Sequence, residues 1–192
     1  MATIITPRTE LDAVNAIIGA IGEGVVNTLE GDANVDVLNA RRLLAVVSAE
    51  IQDKGWVFNT DEAFELVPDT FSNKIVWLPT YLRVITPGGT PYVNRGGFVY
   101  DRLGRTDQFT GRITVTMTEQ VPFEELPLCF RQYITYTAAD RFNAQYYGDP
   151  GVEAACKQAI VESSQAVQEY EIDYGGFNLF NNDPHYLANS GR

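Results

Sequence analysis

Histidine is almost missing from this sequence. The one present, His185, sits in FNNDPHYLANS near the end of the 192 residues. A histidine metal site or a Ser-His-Asp arrangement would have to use it. Its Asn- and Pro-rich surroundings offer little of the rigid support that catalysis needs. Cysteine is as scarce. Cys129 and Cys156 form no CxxC, which argues against a disulfide scaffold or a cysteine zinc site. No apolar run nears the roughly 20 residues that span a bilayer. The opening MATIITPRTELD lacks the charged start and apolar stretch of a signal peptide, so a soluble chain made in the cytoplasm is expected. Basic residues are few, 14 against 25 acidic, for a net charge of −11. A sequence-reading DNA binder needs a basic face, and this balance argues against one. Internal repeats and low-complexity tracts are also missing.

What is present is apolar and aromatic. Hydrophobic residues make up 45%, enough to bury a core. Ten Tyr and ten Phe suit a core, or a chain that works in contact with others. The length fits one well-packed domain or a domain with a modest insertion.

Spacing predicts a helix over 9–21. Thr9 can cap it with Asp12 in the third position, and Leu11, Val14, Ile17, Ile18 and Ile21 share a face. A second helix is predicted over 35–54, capped by Asn34 or Asp32. Val37, Ala40, Leu44, Val47 and Ile51 form its stripe, and Gly55 ends it. The period then changes to two. Short β-type runs fall at 56–58, 63–67, 75–78, 82–85, 92–93, 98–100 and 113–117, punctuated by Pro, Gly, Asn and Asp. Gly96-Gly97 tolerates positive φ at both turn positions and signals a hairpin. Residues 56–121 read as a small antiparallel sheet or barrel.

Helical spacing returns at about 127–147, with Pro127 in the first turn. Gly148-Asp149-Pro150 stops that helix and starts another, with Asp149 as cap and Pro150 at the first position. The stretch from about 173 onward is aromatic yet rich in Gly and Asn, and gains order by docking. The fold class expected is α+β: a four-helix bundle with an inserted small antiparallel β domain and an extended C-terminal tail. Residues 1–55 and 122–172 form the bundle, 56–121 the insertion and 173–192 the docking tail.

Five blocks carry a resemblance. They are TLEGDANVDVLNARRLL (28–44), GWVFN (55–59), YVNRGGFVYDR (92–102), LPLCFRQYITYTAADRFNAQYYGDP (126–150) and EYEIDYGGFNLF (169–180). In content, order and spacing the chain resembles the tail tubular protein A family of short-tailed podophages, the head-to-tail adaptors. The resemblance implies a structural virion protein of the phage tail, made in the bacterial host cytoplasm. It implies a twelve-subunit ring joining the capsid portal to the tail nozzle, tail tubular protein B, with tail fibres attached nearby. The genome passes through the ring during ejection. The family fold it implies is a helical bundle with an inserted β domain.

Charge then has two readings. The −11 is either a solubilising surface or, in a ring, an acidic lumen that does not hold DNA. Residues 83–112 run against this trend, with Arg83, Arg95, Arg102, Arg105 and Arg112 facing Asp101 and Asp107. They either guard edge strands or dock an acidic partner such as a neighbouring subunit, nozzle or fibre. Arg41 and Arg42 lie near the start of the second helix, where its dipole does not favour cations. They are either solvated or paired with Glu30, Asp32, Asp36 or another chain. In the tail, Tyr174, Phe177, Phe180 and Tyr186 either fold back on the bundle or dock on the portal or an adjacent subunit. Glu124-Glu125 and Asp61-Glu62 are the carboxylate pairs that invite a rival reading, a tail-associated glycan hydrolase. Acidic residues are also expected where helices start. No catalytic residue, metal ligand, cofactor, membrane insertion or sequence-specific nucleic acid is assigned.

Overall fold

A capping box opens the first helix. Asp12 donates its backbone N–H to the Thr9 hydroxyl at 3.1 Å, and the Asp12 carboxylate accepts from Thr9 N–H at 3.2 Å. In this computed structural model the described residues are 7, 9–30 and 34–175. Helix α1 spans Glu10–Ala20 and α2 spans Val35–Gln52. Helix α3 spans Leu128–Tyr146 and α4 spans Pro150–Tyr174. Five strands lie between α2 and α3: β1 Thr60–Leu66, β2 Tyr81–Ile85, β3 Val93–Arg95, β4 Phe98–Tyr100 and β5 Ile113–Glu119. The chain is therefore mixed α+β, with four helices and small antiparallel sheets.

Helix α3 touches all three other helices, α1 and α2 touch each other, and α4 packs chiefly on α3. The apolar stripes meet in one cluster. Val14, Ile17 and Ile18 of α1 and Val37, Leu44 and Val47 of α2 join Phe130, Ile134 and Phe142 of α3, with Cys156 and Val167 of α4. Asp149 caps α4 by accepting from Gly151 and Val152 N–H at 2.7 and 3.1 Å, with Pro150 at the first helical position. Two details differ from expectation. Pro127 is the N-cap of α3, just before its first turn, a place where its missing N–H costs nothing. Helix α4 continues to Tyr174, so Tyr174 is helical.

Strand β5 is central in a three-stranded sheet of order β1-β5-β2, and β3 and β4 form a separate hairpin. The hairpin turns at Gly96 and Gly97, whose φ angles of 63° and 83° match the glycine pair read from sequence. Leu66, Val84, Val99, Phe109, Val115 and Met117 belong to a second buried cluster. The run at 75–78 is not a full strand. It touches β4 through an isolated bridge between Val76 and Phe98, with Val99 N–H donating to the Ile75 carbonyl at 2.9 Å.

The run at 56–58 is a correction. Val57–Asn59 is a 3-10 turn, not a strand. The period-two pattern instead marks which rings face the helices. Trp56 and Phe58 both meet Phe130, with ring centroids 5.0 and 4.5 Å apart, while Val57 is exposed. The turn is held by Asn59, which accepts from Trp56 N–H at 2.8 Å. Asn59 also donates to the carbonyls of Gln52 at 3.0 Å and Glu119 at 2.9 Å. Gln52, fully buried, completes the junction. It donates to Ser48 Oγ at 2.9 Å and the Val121 carbonyl at 3.1 Å, and accepts from Val121 N–H at 2.7 Å.

Two predictions follow from this packing. Gln52→Leu keeps the bulk but strands the Val121 N–H and C=O. It should lower unfolding free energy by about 1–3 kcal/mol per stranded group, read by urea denaturation, whereas Glu125→Ala at an exposed site should cost within about 0.5 kcal/mol. Glu50 on α2 and Arg141 on α3 pair at 2.6 Å. The Arg141 hydrogen bond holds the Glu50 carboxyl below its ordinary 4.5. The unfolded chain then binds more protons, so this stabilisation is present above that pH and is lost on acidification through the folded value. Both side chains are substantially exposed, so the pair contributes only about 0.2–1 kcal/mol. The Tm advantage of wild type over Glu50→Gln should be present at neutral pH and vanish in acid.

Candidate assembly surfaces

Arg41 projects from the first half of α2 toward the start of α1. Its Nε meets Glu10 Oε1 at 2.9 Å, and this hydrogen bond and charge raise the guanidinium's pKa. Among the described residues the partner is thus Glu10 rather than Glu30 or Asp36. Packing of α1 on α2 creates this neighbour, which sequence distance conceals. Glu30 adds a weaker favourable field, and Asp32 lies outside the described residues. Arg42 is exposed and in no ion pair among the described residues.

The arginines of 83–112 divide into two groups. Three are engaged within the chain. Arg83 on β2 donates to the Asp53 carbonyl just beyond α2, tying sheet to helix. Arg95 lies over the Tyr100 ring, 3.8 Å from its centroid. Arg112 pairs with Glu65 of β1 at 2.9 Å. Arg102 and Arg105 are exposed and share one turn, and neither is in an ion pair among the described residues. Of the five arginines in the basic segment, three therefore have a partner within the chain, and two are in no ion pair among the described residues. Asp107 is held by Lys74 at 2.6 Å, which lowers its pKa.

Tyr174, in the last turn of α4, stacks on Tyr170 at 4.5 Å. Tyr170 in turn meets Phe130 edge-on at 5.8 Å. The rings thus run from the helical core to the surface. Phe177, Phe180, Tyr186 and His185 lie outside the described residues.

Several exposed apolar residues were not among the sequence candidates. Leu103 and Phe71 stand out on turns, and Leu38, Val46, Val161 and Ile172 on the outer faces of α2 and α4. The signal for the first two is in the sequence, since each is apolar inside a run of turn formers, Arg102-Leu103-Gly104 and Thr70-Phe71-Ser72.

Of the two carboxylate pairs, one member, Glu124, has a structural use. Glu124 Oε1 accepts from Glu10 N–H at 3.1 Å, capping the start of α1. Glu10 and Glu124 both line a cavity of about 390 Å³ with Leu44, Val121 and Phe123. Glu10 is held there by Arg41 and Glu124 by the helix start. Asp61 and Glu62 are exposed on the irregular start of β1, where its register with β5 shifts. Burial pushes the thiols of Cys129 and Cys156 up, the opposite of nucleophile activation. Among the described residues, no cluster of three His, Cys, Asp or Glu could hold a metal, and no helix is long and apolar enough to cross a membrane.

Comparison with curated proteins finds no match. A family model described as tail tubular protein matches residues 11–177, all but the first residue of the helices and strands, and the chain belongs to that family of phage tail structural proteins.

Proposed function

We propose that this protein is a ring-forming adaptor that joins the capsid portal to the tail nozzle and lets the genome pass during ejection. The observation that carries this reading is the family match over 11–177. The ring has twelve subunits, as the resemblance implies, with tail tubular protein B below and tail fibres close by. The protein is made in the host cytoplasm and resides in the virion. It works by binding, and turnover has no part in it. The net charge of −11 per chain supports a lumen that DNA slides past, since binding duplex requires cations that neutralise phosphates. Exposed apolar residues on α2 and α4 support contact with other chains. The division into a helical unit (1–55 and 122–172), an inserted β unit (56–121) and a docking tail (173–192) belongs to the same proposal. Two distinct buried clusters support its first two parts.

Electron microscopy of the purified protein, alone and mixed with its portal, tests the reading. Closed cyclic particles are expected. Open helical growth, or a strict two-fold dimer on the portal, would contradict it. Retention on duplex DNA at physiological salt would count against the acidic lumen. For the division of the chain, residues 61–118 should be replaceable by a short linker, because Gln52, Asn59 and 119–122 then remain. The product should stay helical and unfold cooperatively. Loss of helical circular dichroism would make the sheets part of one indivisible core.

A further inference from the structure

The turn at 101–106 is built to present three side chains outward. Its ends are bonded to each other: Asp101 N–H donates to the Thr106 carbonyl at 2.8 Å, and Thr106 N–H to the Asp101 carbonyl at 3.2 Å. The Asp101 carboxylate accepts from Leu103 N–H at 2.8 Å. Gly104 packs closely here: a Cβ would lie 2.7 Å from Asp101 Oδ2 and would push that carboxylate aside. Arg105 takes the left-handed conformation at φ 52°. The result is a preorganised knob with Leu103 76% exposed between two arginines that lack ion-pair partners among the described residues.

The end of α4 is its complement. Its last turn holds no basic residue, while Glu169, Glu171 and Asp173 crowd the negative end of the helix dipole. Glu171 has an internal use, accepting from Val57 N–H at 3.1 Å. Glu169 and Asp173 are exposed and in no ion pair among the described residues. Position 169 neighbours both 172 and 173, which lie three and four residues on. Ile172 is 68% exposed beside Glu169, while Tyr174 turns to the other side of the helix and stacks on Tyr170. Acidic residues at a helix C-terminus raise the local free energy unless a cation meets them, so this surface favours a basic partner with an apolar centre.

We propose that the 101–106 turn of one copy docks on the last turns of α4 in a second copy. Leu103 covers Ile172, and Arg102 and Arg105 meet Glu169 and Asp173. This rests on the ring reading and names one of its subunit contacts. The two patches differ, so the contact is heterologous and repeats from copy to copy, as ring closure requires. A two-fold pairing of turn with turn would set arginine against arginine. Exposed ion pairs are individually weak, so the apolar contact supplies affinity and the charges set register and exclude wrong partners.

Sedimentation of the full chain, alone and with its portal, tests the proposal. Arg102→Glu with Arg105→Glu should raise the concentration needed for assembly roughly tenfold or more. Glu169→Lys with Asp173→Lys should do the same, and all four changes together should restore assembly. Circular dichroism should show each variant folded. As a second measurement, Leu103→Cys mixed with Ile172→Cys should give an oxidised mixed dimer that neither variant gives alone. Rings that form unaltered with the arginine-reversed turn, or give no mixed dimer, would overturn the proposal and leave the ring reading standing. A wild type that never assembles, even with the portal, would overturn both.

Discussion

Three side-chain amides each take both backbone groups of a single distant residue, and the path of the chain depends on them. Asn15 accepts from Val26 N–H at 2.8 Å and donates to its carbonyl at 2.9 Å, fixing the segment after α1. Asn143 does the same to Asp149 at 3.0 and 2.8 Å, fixing the corner between α3 and α4. Gln52 does it to Val121 at the junction of helices and sheets. Each amide acts like a one-residue strand partner, offering an acceptor and a donor at ladder spacing. Segments that leave regular structure bring polar groups inside, and a buried group without a partner costs about 1–3 kcal/mol. These amides remove that cost at the corners, leaving the apolar stripes to define the core.

The junction adds a second layer to this device. Asn59 spans both crossings of the chain, bonding the Gln52 carbonyl on the outgoing side and the Glu119 carbonyl on the returning side. Around the polar pair sit rings. Trp56 donates its indole N–H to the Ile51 carbonyl at 2.6 Å and meets Phe130, which also takes the edge of Tyr170. Hydrogen bonds fix direction here, and aromatic area supplies the drive to bury them. A hinge between two cores would be loosely packed and exposed. This one is buried and doubly bonded.

Helix limits were legible in the sequence because caps are local. Thr9 with Asp12, and Asp149 with Pro150, act within one turn of themselves, so the residues that decide the boundary are adjacent in sequence. The Gly96-Gly97 hairpin was legible for the same reason. The 3-10 turn at Val57–Asn59 was not, because alternation at Trp56, Val57 and Phe58 reports facing direction and not backbone conformation. The pairing of strands also escaped the reading. Strand β5 inserts between β1 and β2, a long-range choice that alternation alone does not specify. Gln52 looked like an ordinary polar position on a helix, since nothing local marks an amide whose partner is 69 residues away. On the surface, counting arginines over 83–112 found a basic segment. It could not separate Arg83, spent on the Asp53 carbonyl, from Arg102 and Arg105, which are in no ion pair among the described residues.

Junction and surfaces bear on one another if the chain builds rings. In a closed ring of heterologous contacts, the rotation from one copy to the next is fixed by the geometry between the two contacting patches of a single copy. The two patches proposed above lie in the β region, at 101–106, and at the end of α4. Angular play between them would accumulate from copy to copy and give mixed ring sizes or open filaments. The link between them runs through Gln52, Asn59, the Arg83 contact to the Asp53 carbonyl and the Glu171 bond to Val57 N–H. The last of these ties the final turns of α4 directly to the residues where the chain leaves the helices. In such a ring, buried amides at this position would do more than satisfy a corner: their stiffness would set the precision with which one copy positions the next.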